Sequence, residues 1–276
     1  DPSTAFHLFA LYKHHPHLSV RGLHLHIGSQ ISSPKPYTDA IPVALNLIDA
    51  LAAQGIAIRS LNLGGGFGVD YGHSPSGAAI EPIDAFARAI VPLLRDRVNS
   101  GLRILLEPGR SIMATAGLLL TRAQFLKQGR SKRFIICDAG MHSLLRPALY
   151  SAYHFIWPVQ PRGGEIPTSP VPAQPFASLS PADVVGPLCE SSDFLALDRP
   201  LPAIQQGDLL AVFNAGAYGM SMSSTHNDHP KPAEVLVDAD HTTLIRPRGE
   251  YIDLVRSELT CLSNTPGPLR SNGLTP

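Results

Sequence analysis

Three strand-like segments near the start of the chain each end in a polar or glycine-rich motif. The segments, with the motifs that follow them, are Ser19–Leu25 with His-Ile-Gly-Ser-Gln at 26–30, Ile58–Leu63 with Gly-Gly-Gly-Phe-Gly at 64–68, and Leu102–Leu106 with Glu-Pro-Gly-Arg at 107–110. Helix-like segments alternate with them at Ala5–Lys13, Tyr37–Ala53 and Pro82–Val98. Such a repeat is typical of a (β/α)8 barrel, whose functional face lies at the carboxyl ends of its strands. We expect the three motifs to converge there.

The chemistry of these motifs suits a phosphorylated ligand. Gly64, Gly65 and Gly66 allow backbone N–H groups to approach an anion closely. Ser29 adds a hydroxyl, and Arg110 can make a charge-assisted contact with phosphate. A triple glycine alone is more often a plain loop, and Glu-Pro-Gly-Arg alone is as often a salt-bridged turn. The prediction therefore depends on their order and on their similar placement after three strands.

After Arg110 the pattern changes to short strand candidates without long helices between them. These are Gly117–Leu126, Lys132–Asp138, Asp183–Leu188, Asp208–Asn214, Glu234–Val237, Thr242–Ile245 and Tyr251–Val255. We therefore predict two domains, a barrel portion at 1–111 and a β-rich domain at 112–263. Residues 158–181 are predicted to form an extended loop, and residues 264–276 a disordered tail.

Composition excludes several classes of partner. The chain has equal numbers of acidic and basic residues and 44% hydrophobic residues, which gives no general attraction to nucleic acid or to a membrane surface. Its apolar runs are too short to cross a bilayer. Cys137, Cys189 and Cys261 are too widely spaced for a disulfide framework or a zinc site, so we predict no metal. A reducing cytoplasm is the default location, with an organelle address upstream of Asp1 left open.

Six motifs in order give the chain a resemblance to a known family. They are HIGSQ at 26–30, LNLGGGFG at 61–68, EPGRS at 107–111, Arg146–Tyr150, Gly186–Ser191 and Asn214–Met220. From about Leu18 to Glu258 the sequence resembles diaminopimelate decarboxylases, which belong to the alanine-racemase-like, fold-type III pyridoxal-phosphate enzymes. The resemblance implies an α/β plus all-β fold: the C-terminal part of a cofactor-binding (β/α)8 barrel followed by a β-barrel or sandwich domain. It also implies decarboxylation of meso-2,6-diaminopimelate to L-lysine.

The resemblance implies roles at the cofactor, pyridoxal 5'-phosphate. Glu107 would pair with the ring nitrogen and His26 would stack on the ring. The phosphate would be held by Ser29, Gly64, Gly65, Gly66 and Arg110, and Tyr218 would close over cofactor and substrate, with Arg110 also near the substrate. From the residues alone, an ordinary ion pair for Glu107 and a hydrogen-bonded core position for His26 stay open. His24 is interpreted as such a core residue.

The resemblance also implies a substrate clamp and a proton donor. Arg146, Tyr150 and Glu190 would hold the remote carboxylate and amine of the substrate. Cys189 would return a proton to the substrate carbon, and Cys189 and Glu190 would act in the partner's site of a homodimer. Related ornithine decarboxylases have aspartate after this cysteine, so Glu190 favours diaminopimelate. Ser192 stands where the family commonly has glycine, a small departure.

One feature of the family has no match in this sequence. Its members hold the cofactor as a Schiff base through a lysine on an early barrel strand, and Lys13, Lys35, Lys127, Lys132 and Lys231 lie in other contexts. We therefore expect further barrel strands upstream of Asp1 and an inactive chain when it is taken alone. Two alternatives stay open: another basic amino-acid decarboxylase of the same fold, and a non-catalytic relative that lacks the lysine.

Overall fold

A computed structural model describes residues 1–72, 79–162 and 179–263. Its contacts divide the chain into two compact units. The first comprises Asp1–Leu120, Tyr153–Ala177 and Ala211–Tyr218, and the second comprises Thr121–Ala152, Ser178–Leu210 and Gly219–Pro276. The predicted tail at 264–276 and most of the predicted loop at 158–181 lie outside the described residues. The domain boundary at residue 112 stays a prediction.

The N-terminal part alternates helices and strands as the sequence predicts. Its elements are α1 (Pro2–Tyr12), β1 (Gly22–His24), α2 (Lys35–Ala53), β2 (Ser60–Asn62), α3 (Ile83–Asn99), β3 (Arg103–Leu105) and α4 (Gly109–Met113). The strands form a parallel sheet in the order β1-β2-β3. The register pairs His24 with Asn62, and Asn62 with Leu105. Because the register is even, the three strands end at one edge of the sheet.

The apolar faces of α2 and α3 cover this sheet. The buried positions Ile41, Ala44 and Ile48 recur at helical intervals and pack in one cluster with Leu61 of β2. Tyr37, at the start of α2, is 1% exposed, and its hydroxyl donates a 2.6 Å hydrogen bond to the carbonyl of Gly65. Burial raises the pKa of this tyrosine. The start of α2 therefore holds the backbone of the glycine motif at 64–68 in place through this hydrogen bond.

The C-terminal part is rich in β-structure, as predicted. Its elements are β4 (Leu119–Gln128), β5 (Arg133–Cys137), α5 (Arg146–Tyr150), β6 (Ile156–Pro158), β7 (Ser180–Val185), β8 (Phe194–Leu201), β9 (Leu209–Val212), β10 (Glu234–Asp238), β11 (His241–Arg246) and α6 (Tyr251–Ser263). Six strands form one sheet in the order β6-β9-β4-β5-β7-β8, and β10 and β11 form an antiparallel pair. Within the described ranges, no helix has both the length and the apolar character needed to cross a membrane.

Three details differ from the sequence-based expectation. The predicted strand Tyr251–Val255 is wrong, since it forms the start of α6. The apolar residues Ile252, Val255 and Leu259 recur at helical intervals, and Asp253 accepts a hydrogen bond from the backbone N–H of Glu250 at the helix start. The predicted five-residue strand, which contains the β-formers Tyr251, Ile252 and Val255, was too short to show this period. The strands β6 and β8 were not predicted.

Candidate active site

The three strand-end motifs meet at one edge of the first unit. Glu107, just after β3, accepts a 2.7 Å hydrogen bond from the side-chain amide of Asn62 at the end of β2. His24 Nε2, at the end of β1, lies 3.7 Å from the Glu107 carboxylate. His26 completes the group, because donor atoms of His24, His26 and Glu107 all lie within 4.8 Å of one another. The structure thus brings the predicted ring-binding residues Glu107 and His26 together.

Two members of this group were missed or misinterpreted from the sequence. The side chain of His24 is 53% exposed, so its interpretation as a core residue is wrong. The pairing of β1 with β2 puts it at the sheet edge with Asn62. Asn62 was not singled out, although it directly precedes the glycine motif. Imidazole and carboxylate groups can also bind a metal ion, whereas the sequence predicts that His26 and Glu107 contact a cofactor ring.

The glycine triplet is required by the close approach of neighbouring strand ends. A Cβ on Gly65 would overlap the backbone carbonyl of Glu107, and one on Gly64 would overlap that of Leu25. Gly66 has φ +104° and lies against the carbonyl of Gly28. The backbone N–H of Gly64 donates to the Asn62 side chain at 2.9 Å. These contacts hold the backbone at the edge where an anion can approach it.

Arg110, in α4, provides the cation of this edge. Its Nη1 lies 3.2 Å from the hydroxyl of Tyr71, and its Nη2 donates to Ser29 Oγ at 3.1 Å. The guanidinium carbon lies 5.1 Å from the centre of the Tyr218 ring, a cation–π distance. Its Nε is buried and has no hydrogen-bond partner among the described residues. Because buried donors are nearly always paired in native proteins, this N–H is available to an acceptor atom of a bound ligand.

Tyr218 reaches Arg110 because of the Asn214–Met220 motif. Gly216 in this motif has no room for a Cβ, which would overlap the carbonyl of Met113. Asn214 donates from its side chain to the backbone carbonyl of Asp70 at 3.1 Å. Asn214 and Tyr218 both have positive φ, at 55° and 61°. The motif is therefore a tightly packed turn that presents an aromatic ring to the guanidinium.

In the second unit, Cys189 and Glu190 lie on a loop after β7 that is anchored by a buried carboxylate. Asp193 is 5% exposed and accepts hydrogen bonds from the backbone N–H of Leu188 at 2.6 Å and of Met141 at 2.7 Å. A Cβ on Gly140 or Gly186 would overlap this carboxylate. Asp193 was not singled out from the sequence. The glycine that begins the Gly186–Ser191 motif was the available signal for a close approach.

The side chains of the loop are exposed and contact a turn. Cys189 is exposed, and its Sγ accepts a 3.5 Å hydrogen bond from the side-chain amide of Asn227. His226 Nε2 lies 3.2 Å from Glu190 Oε1. By contrast, Cys137 is buried, and burial raises the pKa of its thiol to about 12. Of these two cysteines, only Cys189 is accessible for proton transfer.

The predicted clamp residues Arg146 and Tyr150 both lie on α5. The predicted helical spacing of four is confirmed. Arg146 is 6% exposed, whereas Tyr150 is 62% exposed. His142, shortly before this helix, is 4% exposed and packs against His229, with ring centres 4.7 Å apart and ring planes tilted by 31°. Burial and, next, the neighbouring His229 lower the pKa of His142.

The parallel strand edge with its glycine triplet and arginine, followed by a sheet-rich region, is the arrangement expected of barrel-plus-sheet enzymes that bind a phosphorylated cofactor. The chain belongs to the ornithine, diaminopimelate and arginine family of pyridoxal-dependent decarboxylases. Residues 9–216 match the family described as pyridoxal-dependent decarboxylase, C-terminal sheet domain. The fold predicted from the sequence, part of a barrel followed by a β-rich region, is confirmed by this match.

Within this family, the chain is similar to several diaminopimelate decarboxylases. The diaminopimelate decarboxylase of Aquifex aeolicus is 44% identical over 243 residues, which cover 88% of this chain and 53% of the relative. That of Vibrio cholerae is 45% identical over 239 residues, covering 87% and 52%. The crystal structure of diaminopimelate decarboxylase from Helicobacter pylori complexed with L-lysine matches with a TM-score of 0.80 and 36% identity, covering 94% of this chain and 60% of that one. The chain thus spans about half the length of the curated relatives it matches.

Proposed function

We propose that the complete protein containing this chain is a diaminopimelate decarboxylase. It removes the carboxylate at the D-configured carbon of meso-2,6-diaminopimelate and releases L-lysine and carbon dioxide. The observation that carries the proposal is the strand edge at which Glu107 lies beside Asn62 and His26, next to the glycine triplet. Five curated relatives of that name, which share 41–45% identity with this chain, support the choice of substrate.

The residues of the first unit fit pyridoxal 5'-phosphate. When bound, this cofactor supplies an electron sink for the carbanion that remains after carboxylate loss. The unpaired Nε of Arg110, the Ser29 hydroxyl and the N–H groups of Gly65 and Gly66 would hold its phosphate. Gly64, whose own N–H donates to Asn62, would let the backbone approach the phosphate closely. The Glu107 carboxylate would hold the proton on the ring nitrogen, because an adjacent negative charge favours the cationic ring. His26 would cover one face of the ring.

The substrate and the proton donor involve the second unit. Arg146, Tyr150 and Glu190 would bind the remote carboxylate and amine, and Cys189 would deliver a proton to the substrate carbon. We propose that the protein is a homodimer in which Cys189 and Glu190 serve the partner's site. A cytoplasmic location suits its free cysteines. A decarboxylase for purely cationic side chains would gain nothing from the Arg146 cation.

The test is carbon dioxide release by the complete protein from meso-diaminopimelate, ornithine, arginine and L-lysine. We expect release from diaminopimelate alone. Glu107→Gln should lower kcat by about 100-fold or more, because the neutral amide no longer stabilises the protonated ring. The matched control Glu81→Gln, at an exposed position, should retain full activity. Release from ornithine or lysine instead would identify another decarboxylase, and cofactor binding without any release would identify a non-catalytic relative.

A second variant pair tests the assigned cofactor groups without measuring turnover. Ser29→Ala and Arg110→Lys remove a hydroxyl and the forked guanidinium that contact each other. We expect both to weaken binding of pyridoxal 5'-phosphate, with the larger loss for Arg110→Lys, because lysine cannot make the paired contacts of a guanidinium. Equilibrium titration of the cofactor-free protein by absorbance measures this. Unchanged affinity in both variants would remove Arg110 and Ser29 from the phosphate site.

A further inference from the structure

A short turn of the second unit contacts both functional residues of the Cys189–Glu190 loop. Asn227 donates its side-chain amide to Cys189 Sγ at 3.5 Å, and the neighbouring His226 lies 3.2 Å from Glu190 Oε1. Two consecutive residues of the turn thus meet two consecutive residues of the loop. We propose that Asn227 and His226 are positioning residues that orient Cys189 and Glu190 for proton return and substrate binding. The proposal rests on the proposed function.

The backbone of the turn supports a functional interpretation. Asn227 has φ 53° and Asp228 has φ 57°, so two adjacent non-glycine residues are left-handed. This conformation is unfavourable for residues with a Cβ, least so for asparagine and aspartate. Such conformations persist where the surrounding structure determines them, and they cluster at active sites. Here the left-handed Asn227 is the residue that contacts the thiol.

Backbone contacts hold both sides of this pair of interactions. In the turn, the N–H of Asp228 donates to the carbonyl of Thr225 at 3.0 Å. In the loop, the N–H of Asp193 donates to the carbonyl of Glu190 at 3.1 Å, and the Asp193 carboxylate binds the N–H of Leu188. The side-chain contacts therefore join two segments that are each held by their own backbone hydrogen bonds. That arrangement suits precise orientation better than two free loops would.

The amide of Asn227 has a definite chemical effect on the thiol. In the proposed reaction the S–H bond of Cys189 breaks, the proton passes to the substrate carbon, and the electron pair stays on sulfur. An N–H donor stabilises the resulting thiolate more than the thiol, because hydrogen bonds to charged groups are stronger. The charged and titratable groups beside the thiol in sequence or on the turn are Glu190, His226 and Asp228. Asn227 lies between these groups as a neutral hydrogen-bond donor, and its contact also fixes the direction of Sγ.

His226 acts on the second residue of the pair. Its imidazole and the Glu190 carboxylate are both 45% exposed, so the contact is accessible to solvent and of modest strength. Its effect is on orientation, since it holds one carboxylate oxygen and leaves the other for the substrate amine. Loss of this contact should therefore weaken substrate binding more than it slows proton transfer.

The decisive measurement is the alkylation rate of Cys189 in the complete protein, followed by mass spectrometry of its peptide with iodoacetamide as the probe. Asn227→Gly keeps the left-handed backbone and removes the amide, and Asn227→Asp replaces the donor by an anion of the same shape. At about pH 7 we expect Asn227→Gly to react about threefold more slowly and Asn227→Asp more slowly still, because less thiolate forms. At about pH 10, above the ordinary range for exposed thiols, Asn227→Gly should react as fast as the wild type or slightly faster.

Asp228→Gly is the matched control for backbone loosening, because it introduces glycine at the adjacent left-handed position and leaves the amide in place. It should not slow alkylation. Slowing in this control, or slowing of Asn227→Gly that persists at about pH 10, would show altered access instead of thiolate stabilisation and would overturn the proposal. Equal rates for Asn227→Gly and the wild type at both pH values would overturn it as well.

Kinetics of the complete enzyme separate this proposal from the proposed function. With diaminopimelate, Asn227→Gly should lower kcat with little change in KM, and His226→Gln should mainly raise KM. If the wild type releases no carbon dioxide but Cys189 alkylation responds to Asn227, the proposed function fails and the thiol contact stands. If the wild type is active and neither variant changes its kinetics or its alkylation, the positioning roles are wrong.

Discussion

The strand edge of the first unit and the Cys189–Glu190 loop of the second unit hold their functional groups by different means. At the strand edge, parallel pairing aligns His24, Asn62 and Glu107, and glycines allow the backbones to touch. In the loop, one buried carboxylate, Asp193, replaces the regular hydrogen bonds that a strand would supply. Regular structure thus positions the first set, and a buried polar anchor holds the backbone of the second. A substitution at the strand edge should therefore destabilise several strands, whereas a substitution at Asp193 should affect mainly the Cys189–Glu190 loop.

The largest effect is expected from Gly65→Ala. Gly65 is not one of the glycines with positive φ, so alanine can adopt its backbone conformation. The added Cβ therefore acts only through its overlap with the carbonyl of Glu107. We expect this clash to lower the free energy of unfolding of the first unit by about 3 kcal/mol, because two backbones would have to separate. Peptide-level hydrogen exchange over β2 and β3 measures it.

Gly109→Ala is the control for this change. A Cβ on Gly109 meets nothing within 4 Å, and the residue begins α4. Alanine should therefore leave the free energy of unfolding unchanged or raise it by up to about 1 kcal/mol. Equal effects of the two substitutions would mean that close backbone approach does not hold the strand edge together.

The next largest effect is expected from Asp193→Ala. It removes the acceptor for the part-buried N–H groups of Leu188 and Met141, at a cost of about 2–3 kcal/mol. Hydrogen exchange should increase in the loop around Cys189 and spare β2 and β3. Asp198→Asn, at an exposed ion pair with Lys132, is the control and should change little. Exchange that stayed slow around Cys189 would contradict the anchoring role of Asp193.

The smallest effect is a pH dependence confined to the second unit. Since the pKa of buried His142 is lowered from 6.5, the unfolded chain binds its proton at a higher pH than the folded chain does. Stability from this residue is complete above pH 6.5 and falls as the pH drops from 6.5 towards the lowered value. His229, Asp193, Asp138 and His226 also act on this histidine, and burial has the largest influence.

His142→Phe should remove that part of the pH dependence, because a phenyl ring keeps the ring contact with His229 and carries no titratable proton. Urea unfolding of the wild type and the variant between about pH 8 and pH 5 tests it. The variant should gain stability relative to the wild type as the pH falls. The lowered pKa of Asp138 affects a separate window, below 3.8. Parallel pH profiles of the two proteins would exclude His142 as the cause.

Much of the first unit was predictable because its signals are local. Alternating apolar runs and helical periods identified α2, β2 and α3, and the motif after each strand indicated which ends converge. In the second half, the strands β6 and β8 and the helix α6 were missed. The period of α6 shows only over more than ten residues, and β8 interrupts its apolar pattern with Asp198 and Pro200. Local propensity is weak where tertiary pairing decides the structure.

The sequence by itself determined the βα order, the strand-end motifs and the resemblance to a decarboxylase family, because each depends on residues that are neighbours along the chain. Only the tertiary structure showed that Asn62 holds Glu107, that Asp193 anchors the Cys189 loop, and that Asn227 meets the thiol. Those partners are separated by 45, 5 and 38 positions, respectively. The physical reason is that a side-chain hydrogen bond depends on distance and direction in space, and these follow from strand register and backbone conformation that no local pattern encodes.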